Sequence, residues 1–328
     1  MIKLNSLQYP KVLELNFNDE ITMHPLKSND LIEKRIKDFS LKFGFKNLKT
    51  FSFSKEGVLT LMLTLMSDKK GKILVSLGES EVIIEAAKTY KDLGFDLEFI
   101  PLTRQGHLDY EKISKCELIF ASSYIMDTYV KVDLEKVKNL SNAKLISNIS
   151  ATLEVGFSDM VFLDSYKLAG YAIDSILLFN DELEESVTSQ INTVSIFQVQ
   201  KAIANFTKKT DYKSFFMERL NAEFNDNIFY FVQPKECLDY TLHFGLKGIK
   251  AREIIRTLAL DSILVTNGEG CSLGLSKPSR ILQEMGYEEL ESRWALSLSF
   301  SDDLDEETIT KVVKTIAKKY RQIVALNS

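Results

Sequence analysis

Cysteine is scarce in this chain of 328 residues: Cys116, Cys237 and Cys271 are all it has. They show neither metal-ligand spacing nor a disulfide framework, so the expectation is a cytoplasmic protein with reduced thiols. Long apolar runs are missing too, and no stretch approaches a membrane span. The N-terminal MIKLNSLQYPKVLEL lacks a basic region followed by an apolar core, so it does not read as a targeting signal. Positive charge is not in excess. The net charge of −5 argues against nucleic acid or a membrane surface as the main partner. There are no low-complexity segments and no repeats. What remains is ordinary: 45% apolar and 27% charged residues, in a length that suits two domains or one large domain with an appendage.

The pattern that is present is an alternation. Residues 1–27 carry little signal, although Leu13 to Phe17 reads as a strand. Ser28-Asn29-Asp30 caps a helix with Leu31, Ile32, Ile36, Phe39 and Leu41 on one face. The run Phe51 to Gly57 turns into an apolar helix, Val58 to Met66. Strands are then expected at Lys72–Leu77, Asp96–Pro101, Glu117–Ala121, Ala143–Asn148, Met160–Asp164 and Ser175–Phe179. Helices fall between them at Glu79–Leu93, Asp109–Ser114 and Asp133–Leu140. Short apolar strands separated by amphipathic helices predict a mixed, mostly parallel sheet covered by helices, an α/β fold. The short link between the last two strands allows one antiparallel pair. A long helical stretch, Val194 to Glu223, leads to a small α+β unit. The expected division is 1–224 and 225–328, with a boundary near Asn225. A final helix from near Asp305 buries Ile309, Val312, Val313, Ile316, Tyr320, Ile323 and Val324.

Within the small unit, Ile263 to Leu282 is the most distinctive stretch. A strand end is followed by Asn267-Gly268-Glu269-Gly270-Cys271-Ser272-Leu273-Gly274, three glycines around one thiol. Ser276-Lys277-Pro278 then starts a helix that Gly286 closes. Such a loop can carry a thiol toward a substrate, and mobility is expected from Gly268 to Gly274. On the loop alone, a chance surface cysteine is the competing explanation.

The segment Asp239 to Phe300 resembles the C-terminal part of cysteine desulfurases, in the class V branch of the pyridoxal-phosphate-dependent (PLP) aminotransferase-like enzymes of fold type I. The resemblance continues weakly upstream to about Phe51 and is not evident over the first fifty residues. It implies that Cys271 is the sulfur-accepting nucleophile. It also implies that Lys167, in MVFLDSYKLAG directly after a strand, holds the cofactor as an imine. Strand ends are where open α/β sheets bind ligands, although most lysines are simply exposed. With both residues in place, the resemblance implies removal of sulfur from cysteine, leaving alanine and a Cys271 persulfide for an acceptor protein. It implies a homodimer as well, with Val187 to Asn192 facing the partner.

Around those two residues the sequence departs from the family's pattern. Tyr166 stands where the family has a histidine, and Asp164 where a serine binds the cofactor phosphate. Lys55 replaces a threonine before Glu56 in the phosphate-binding turn. The ring-stacking imidazole falls at Ser80. The aspartate that protonates the pyridine nitrogen falls at Ser147, with Asn148 beside it, and a nearby glutamine falls at Ser150. Ser147 and Asn148 cannot stabilise a pyridinium as a carboxylate does. The substrate-binding arginine falls at Ser297, with Arg280 and Arg293 nearby, and an asparagine-glutamate pair falls at Met126-Asp127. Of Gln190 to Asn192, where the family lends a phosphate contact to its partner, only Asn192 fits. The histidines His24, His107 and His243 offer no replacement ring. Three readings follow: a PLP-dependent desulfurase, a catalytically degenerate homologue kept as a binding or assembly partner, and an aminotransferase that uses Lys167 without Cys271. With the cofactor absent, Lys55 and Asp164 are expected to form an ion pair in the phosphate site.

Overall fold

The computed structural model describes residues 1–14, 29–67, 71–180, 191–268 and 277–327. A seven-stranded sheet forms its centre. In chain order it is built from α1 (Asn29–Lys42), β2 (Asn47–Phe51), α2 (Lys55–Leu65), β3 (Ile73–Ser76), α3 (Glu81–Asp92), β4 (Leu97–Ile100), β5 (Leu118–Phe120), α4 (Leu134–Ser141), β6 (Lys144–Asn148), β7 (Met160–Leu163), α5 (Ser165–Ala169), β8 (Ser175–Phe179) and α6 (Thr193–Ala204); β1 (Ile2–Lys3) precedes them. The strand order is β2-β8-β7-β6-β5-β3-β4. Strands β3 to β7 run parallel. β8 is antiparallel to β7, as its short connection predicts, and β2 is antiparallel to β8.

The inner strands are largely apolar on both faces because helices cover both. In β7, Met160 and Phe162 pack with α2 and α3, whereas Val161 and Leu163 pack with α5 and α6. α2 begins at Lys55, three residues before the expected Val58, because Ser54 caps it: its Oγ accepts from Gly57 N at 3.1 Å. In α1, Phe39 is buried but Leu41 is exposed, so the apolar face is narrower than the sequence suggested. The chain reaches β4 on one side of β3 and returns to β5 on the other. The crevice at the carboxyl ends of β3 and β5 is therefore a topological switch point.

The expected long helix after β8 is two helices, α6 and α7 (Tyr212–Phe224), with a break over 205–211. β9 (Ile228–Phe229), β10 (Thr241–Leu246), α8 (Ala251–Leu260), β11 (Ile263–Leu264), α9 (Arg280–Glu284), α10 (Glu289–Ser292), β12 (Ala295–Ser299) and α11 (Glu306–Asn327) complete the chain. β12-β10-β9 form a small antiparallel sheet. Phe216, Leu220 and Phe224 of α7 share one cluster with Ile228, Phe244, Leu298 and the buried stripe of α11, so the expected boundary near Asn225 falls inside a core. Val324 sits at the edge of that stripe, 39% exposed. β1 pairs in parallel with β11, which ties the first residues into this C-terminal layer. The cap of α9 is Ser279, whose hydroxyl accepts from Leu282 N, and Pro278 precedes the cap instead of opening the first turn. Among the described residues no helix is long and apolar enough to cross a membrane.

Candidate functional site

A cleft of about 700 Å³ opens at the carboxyl ends of β3 and β7. Its lysine is positioned by a capped turn. β7 ends at Leu163, and Asp164 then accepts from Tyr166 N at 2.9 Å and Lys167 N at 3.4 Å, which starts α5. That turn sends Lys167 into the cleft, where Nζ donates to Tyr124 OH at 2.6 Å and approaches Met126 Sδ at 3.4 Å. Tyr166, one residue earlier, stays on the rim, 40% exposed. Burial raises the pKa of Asp164, against the pull of Lys167 and the two backbone N–H groups.

Lys55 and Ser80 also line the cleft. The Lys55–Asp164 ion pair does not form. Lys55 is exposed at the first residue of α2, and Asp164 spends its acceptors on the α5 backbone. Glu56 is exposed and does not line the cleft. Ser80 precedes α3 without making a side-chain cap, and its buried Oγ has no partner among the described residues.

Ser147, Asn148 and Ser150 lie beneath the cleft and do not line it. Ser147 Oγ donates to Ala121 O at 2.7 Å and accepts from Ser158 Oγ at 2.8 Å. Asn148 Oδ1 accepts from Ser150 N at 2.9 Å and from Ser150 Oγ at 2.6 Å. Ser150 Oγ in turn accepts from Asp164 N at 2.6 Å. Ser297 is also internal: its hydroxyl meets His243 Nδ1 at 2.8 Å and Asp127 O at 3.4 Å. Asn192 caps α6 and donates to Asp174 Oδ2 at 3.1 Å, while Gln190 lies outside the described residues.

Cys271 and the loop around it also lie outside the described residues. Gly268, the last described residue before them, lines the cleft at φ 142°, and a Cβ there would stand 2.6 Å from Asp127 Cγ. On the far side, Ser279 Oγ donates to Asp127 Oδ2 at 2.6 Å. Asp127 thus lies close against Gly268 on one side of the segment and accepts a hydrogen bond from Ser279 on the other. The other two thiols are poor nucleophiles: burial pushes Cys116 up to about 11 and Cys237 up to about 12.

Sequence reasoning missed Glu79, Tyr124, Tyr129 and Gln8. Glu79 is buried, and its carboxylate accepts from Ser122 N and from Ser122 Oγ, the latter at 2.7 Å. Desolvation pushes its pKa up to about 7, against the attraction of Lys167 and Arg280. Arg280 donates to Leu77 O at 2.8 Å and to Glu79 O, locking α9 onto the end of β3. A carboxylate between a strand end and a helix start was the available signal for Glu79, but it read as the first turn of a helix. Tyr124 and Tyr129 left no periodic signal, because they sit on an irregular turn with φ above zero at Asp127 and Tyr129.

Pyridoxal phosphate asks for a lysine, an anion cradle, a group on the ring face and a partner for the ring nitrogen. Lys167 supplies the first, and the start of α2 with Lys55 suits the second. The ring-face position holds the small Ser80. The ring-nitrogen position, Ser147, is sealed beneath the cleft with its hydroxyl committed. As a set, the residues present do not fit the group.

This α/β architecture is the fold of the PLP-dependent fold type I proteins. More narrowly, the chain has the cysteine desulfurase-like fold of the class V aminotransferases. A solved NifS-like protein superimposes with a TM-score of 0.77 at 14% identity, over 97% of this chain and 98% of its own. A NifS-like protein from Rickettsia africae does so with a TM-score of 0.71 at 16% identity, over 99% of each chain. The curated relative named cysteine desulfurase IscS 1, from Archaeoglobus fulgidus, is 21% identical over 294 residues, 79% of this chain and 77% of the relative. No family model matches the chain.

Proposed function

We propose that this chain is a catalytically degenerate homologue of the cysteine desulfurases, acting as a binding protein whose cleft takes a small ligand without pyridoxal ring chemistry. One observation carries the reading. Ser147, Asn148 and Ser150, which the resemblance assigns to the cofactor ring, hydrogen-bond to Ala121, to Ser158, to one another and to the Asp164 backbone. A carboxylate beside the ring nitrogen keeps it protonated, and without one the electron sink that acidifies the α-proton of a bound amino acid is weakened. Lys167 then serves as a hydrogen-bonding cation in the cleft wall, oriented by the Tyr124 hydroxyl.

The desulfurase reading has its own support in Lys167 on the cleft wall and in Gly268, three residues before Cys271, on the same wall. One experiment separates the two. The purified protein is incubated with pyridoxal phosphate, followed by absorbance with and without borohydride, and then assayed for alanine and sulfide release from cysteine. The degenerate reading expects no Lys167-dependent imine band and no alanine. An imine band lost in Lys167→Ala, with alanine release lost in Cys271→Ala, would establish the desulfurase instead.

A further inference from the structure

We propose that residues 8–14 form a strap along the mouth of the cleft, hinged in the C-terminal layer and latched on α5, and that access to Lys167 opens when the latch releases. This gate serves whichever ligand the cleft takes, and so goes beyond the reading above. At the hinge end, Leu4 N donates to Leu264 O at 2.8 Å and Leu7 N donates to Ser299 Oγ at 2.9 Å. The chain then turns on Asn5, whose carbonyl accepts from Gln8 N at 3.2 Å and from Tyr9 N at 2.8 Å. Gln8 and Tyr9 line the cleft. Past Pro10 the chain reaches the large unit, where Leu13 N donates to Ala169 O at 3.2 Å and Lys201 Nζ of α6 donates to Glu14 O at 3.1 Å. Ala169 ends the helix that carries Lys167, and Ala172, Ile173 and Asp174 just beyond it line the cleft. Tyr9 of the strap and Tyr166 of α5 both line the cleft and are 45% and 40% exposed, so they stand at its mouth.

The two ends of the strap are held unequally. The hinge end rests on the β1–β11 pairing and on Leu4 and Leu7, both buried. The latch end rests on one backbone hydrogen bond, one bond from a lysine side chain, and the half-buried Leu13 against the cluster that holds Leu168 and Ala169. Lys11, Val12 and Glu14 are exposed. Local opening begins where buried apolar contacts are few and backbone hydrogen bonds face solvent, so the strap releases from α5 before it releases from β11.

Gly170 shows how closely the latch seats. It caps α5 at φ 85°, and a Cβ there would stand 2.9 Å from Val12 Cα and 3.0 Å from Val12 N. A side chain at this position and a fully seated strap exclude each other. The latch therefore bears on the same short helix that aims Lys167 into the cleft.

The test reads the Lys167 amine by reductive methylation with formaldehyde and dimethylamine-borane, quantified by peptide mass spectrometry against the exposed Lys311 of α11. Gly170→Asn keeps a residue that accepts the left-handed cap and adds the Cβ that meets Val12. Leu13→Pro works from the strap's own side, by removing the N–H that bonds Ala169. Each variant is expected to label Lys167 about fivefold faster, the scale of one backbone hydrogen bond, with Lys311 unchanged. In the parent, hydrogen exchange should release the Leu13 amide well before the Leu4 amide, because opening leaves β1 paired. If melting shows that Leu13→Pro is unfolded, Leu13→Ala, which keeps the N–H but gives up the packing beside Leu168, takes its place. Unchanged Lys167 labelling in the folded strap variant would overturn the proposal. So would a rise confined to Gly170→Asn, which caps the lysine's own helix, or exchange of Leu13 and Leu4 at one rate. No pyridoxal phosphate enters these measurements, so their failure leaves the functional reading standing, and failure of that reading leaves the strap standing.

Discussion

At the scale of single residues, two displaced titrations oppose each other. Glu79 is raised by desolvation from 4.5 to about 7, and His243 is lowered by desolvation from 6.5 to about 4. The folded state holds the Glu79 proton more tightly than the unfolded chain does. Its contribution is therefore complete below pH 4.5 and is lost as pH rises to about 7. The folded state resists protonating His243, whose contribution is complete above pH 6.5 and is lost as pH falls to about 4. Each shift corresponds to roughly 3 kcal/mol. Between pH 4.5 and 6.5 the slopes have opposite signs and offset. Glu79→Gln should gain stability on the parent as pH rises through that window, and His243→Gln should gain on it as pH falls. Denaturant unfolding across the window, read as differences from the parent, cancels the remaining carboxylates. Parallel profiles for parent and Glu79→Gln would show that this carboxyl is not desolvated.

At the scale of elements, the start of α2 reverses the usual rule for helix glycines. Replacing a helical glycine with alanine ordinarily stabilises by ~1 kcal/mol. At Gly57 an added Cβ would lie 1.9 Å from Ser52 O, so the turn that presents Ser54 and Lys55 to the cleft must move. Gly57→Ala should destabilise by ~1–3 kcal/mol, more than the ~1 kcal/mol expected for removing the cap in Ser54→Ala. A raised melting temperature in Gly57→Ala would rule out this contact. The elements themselves were largely legible. Runs such as residues 73–75 and Met160–Leu163 are apolar throughout because the sheet is covered on both faces, and that pattern survives in one sequence. The site was legible only in part. Lys167 follows a strand directly, and that position together with the resemblance singled it out. Whether Ser147 faced the cleft or its floor depended on hydrogen bonds to Ala121 and Ser158, which no local pattern encodes. The break after α6 and the cap at Ser279 were missed for a similar reason: tertiary contacts chose among several plausible caps and stops.

At the scale of the whole molecule, the first nine residues touch both layers, which also meet through Ile281, Leu282 and Ala295 against the large sheet. β1 has only two residues, and its partner β11 lies at the other end of the sequence, so no periodicity could announce the pairing. Leu4 is fully buried in the cluster of the C-terminal layer, with Ile263, Phe244 and Leu298. Its carbonyl accepts from Ser299 N at 2.8 Å, and Leu7 N donates to Ser299 Oγ at 2.9 Å. Leu7 packs instead with Leu74, Ile100 and Leu102 of the large sheet. Gln8 then enters the cleft between them. Truncating a buried leucine typically costs ~2–5 kcal/mol, against a total stability of ~5–15 kcal/mol for a domain. Removing residues 1–9 deletes two such leucines and one strand, which is enough to unfold the layer that depends on them. Hydrogen exchange on the truncated chain should show β11 and β12 losing protection while β5, β6 and β7 keep theirs. Leu4→Ala should give the same ranking in milder form. Equal loss across both sheets would mean that the chain unfolds as one unit, and full protection of β12 would mean that the N-terminal strand contributes nothing to holding it.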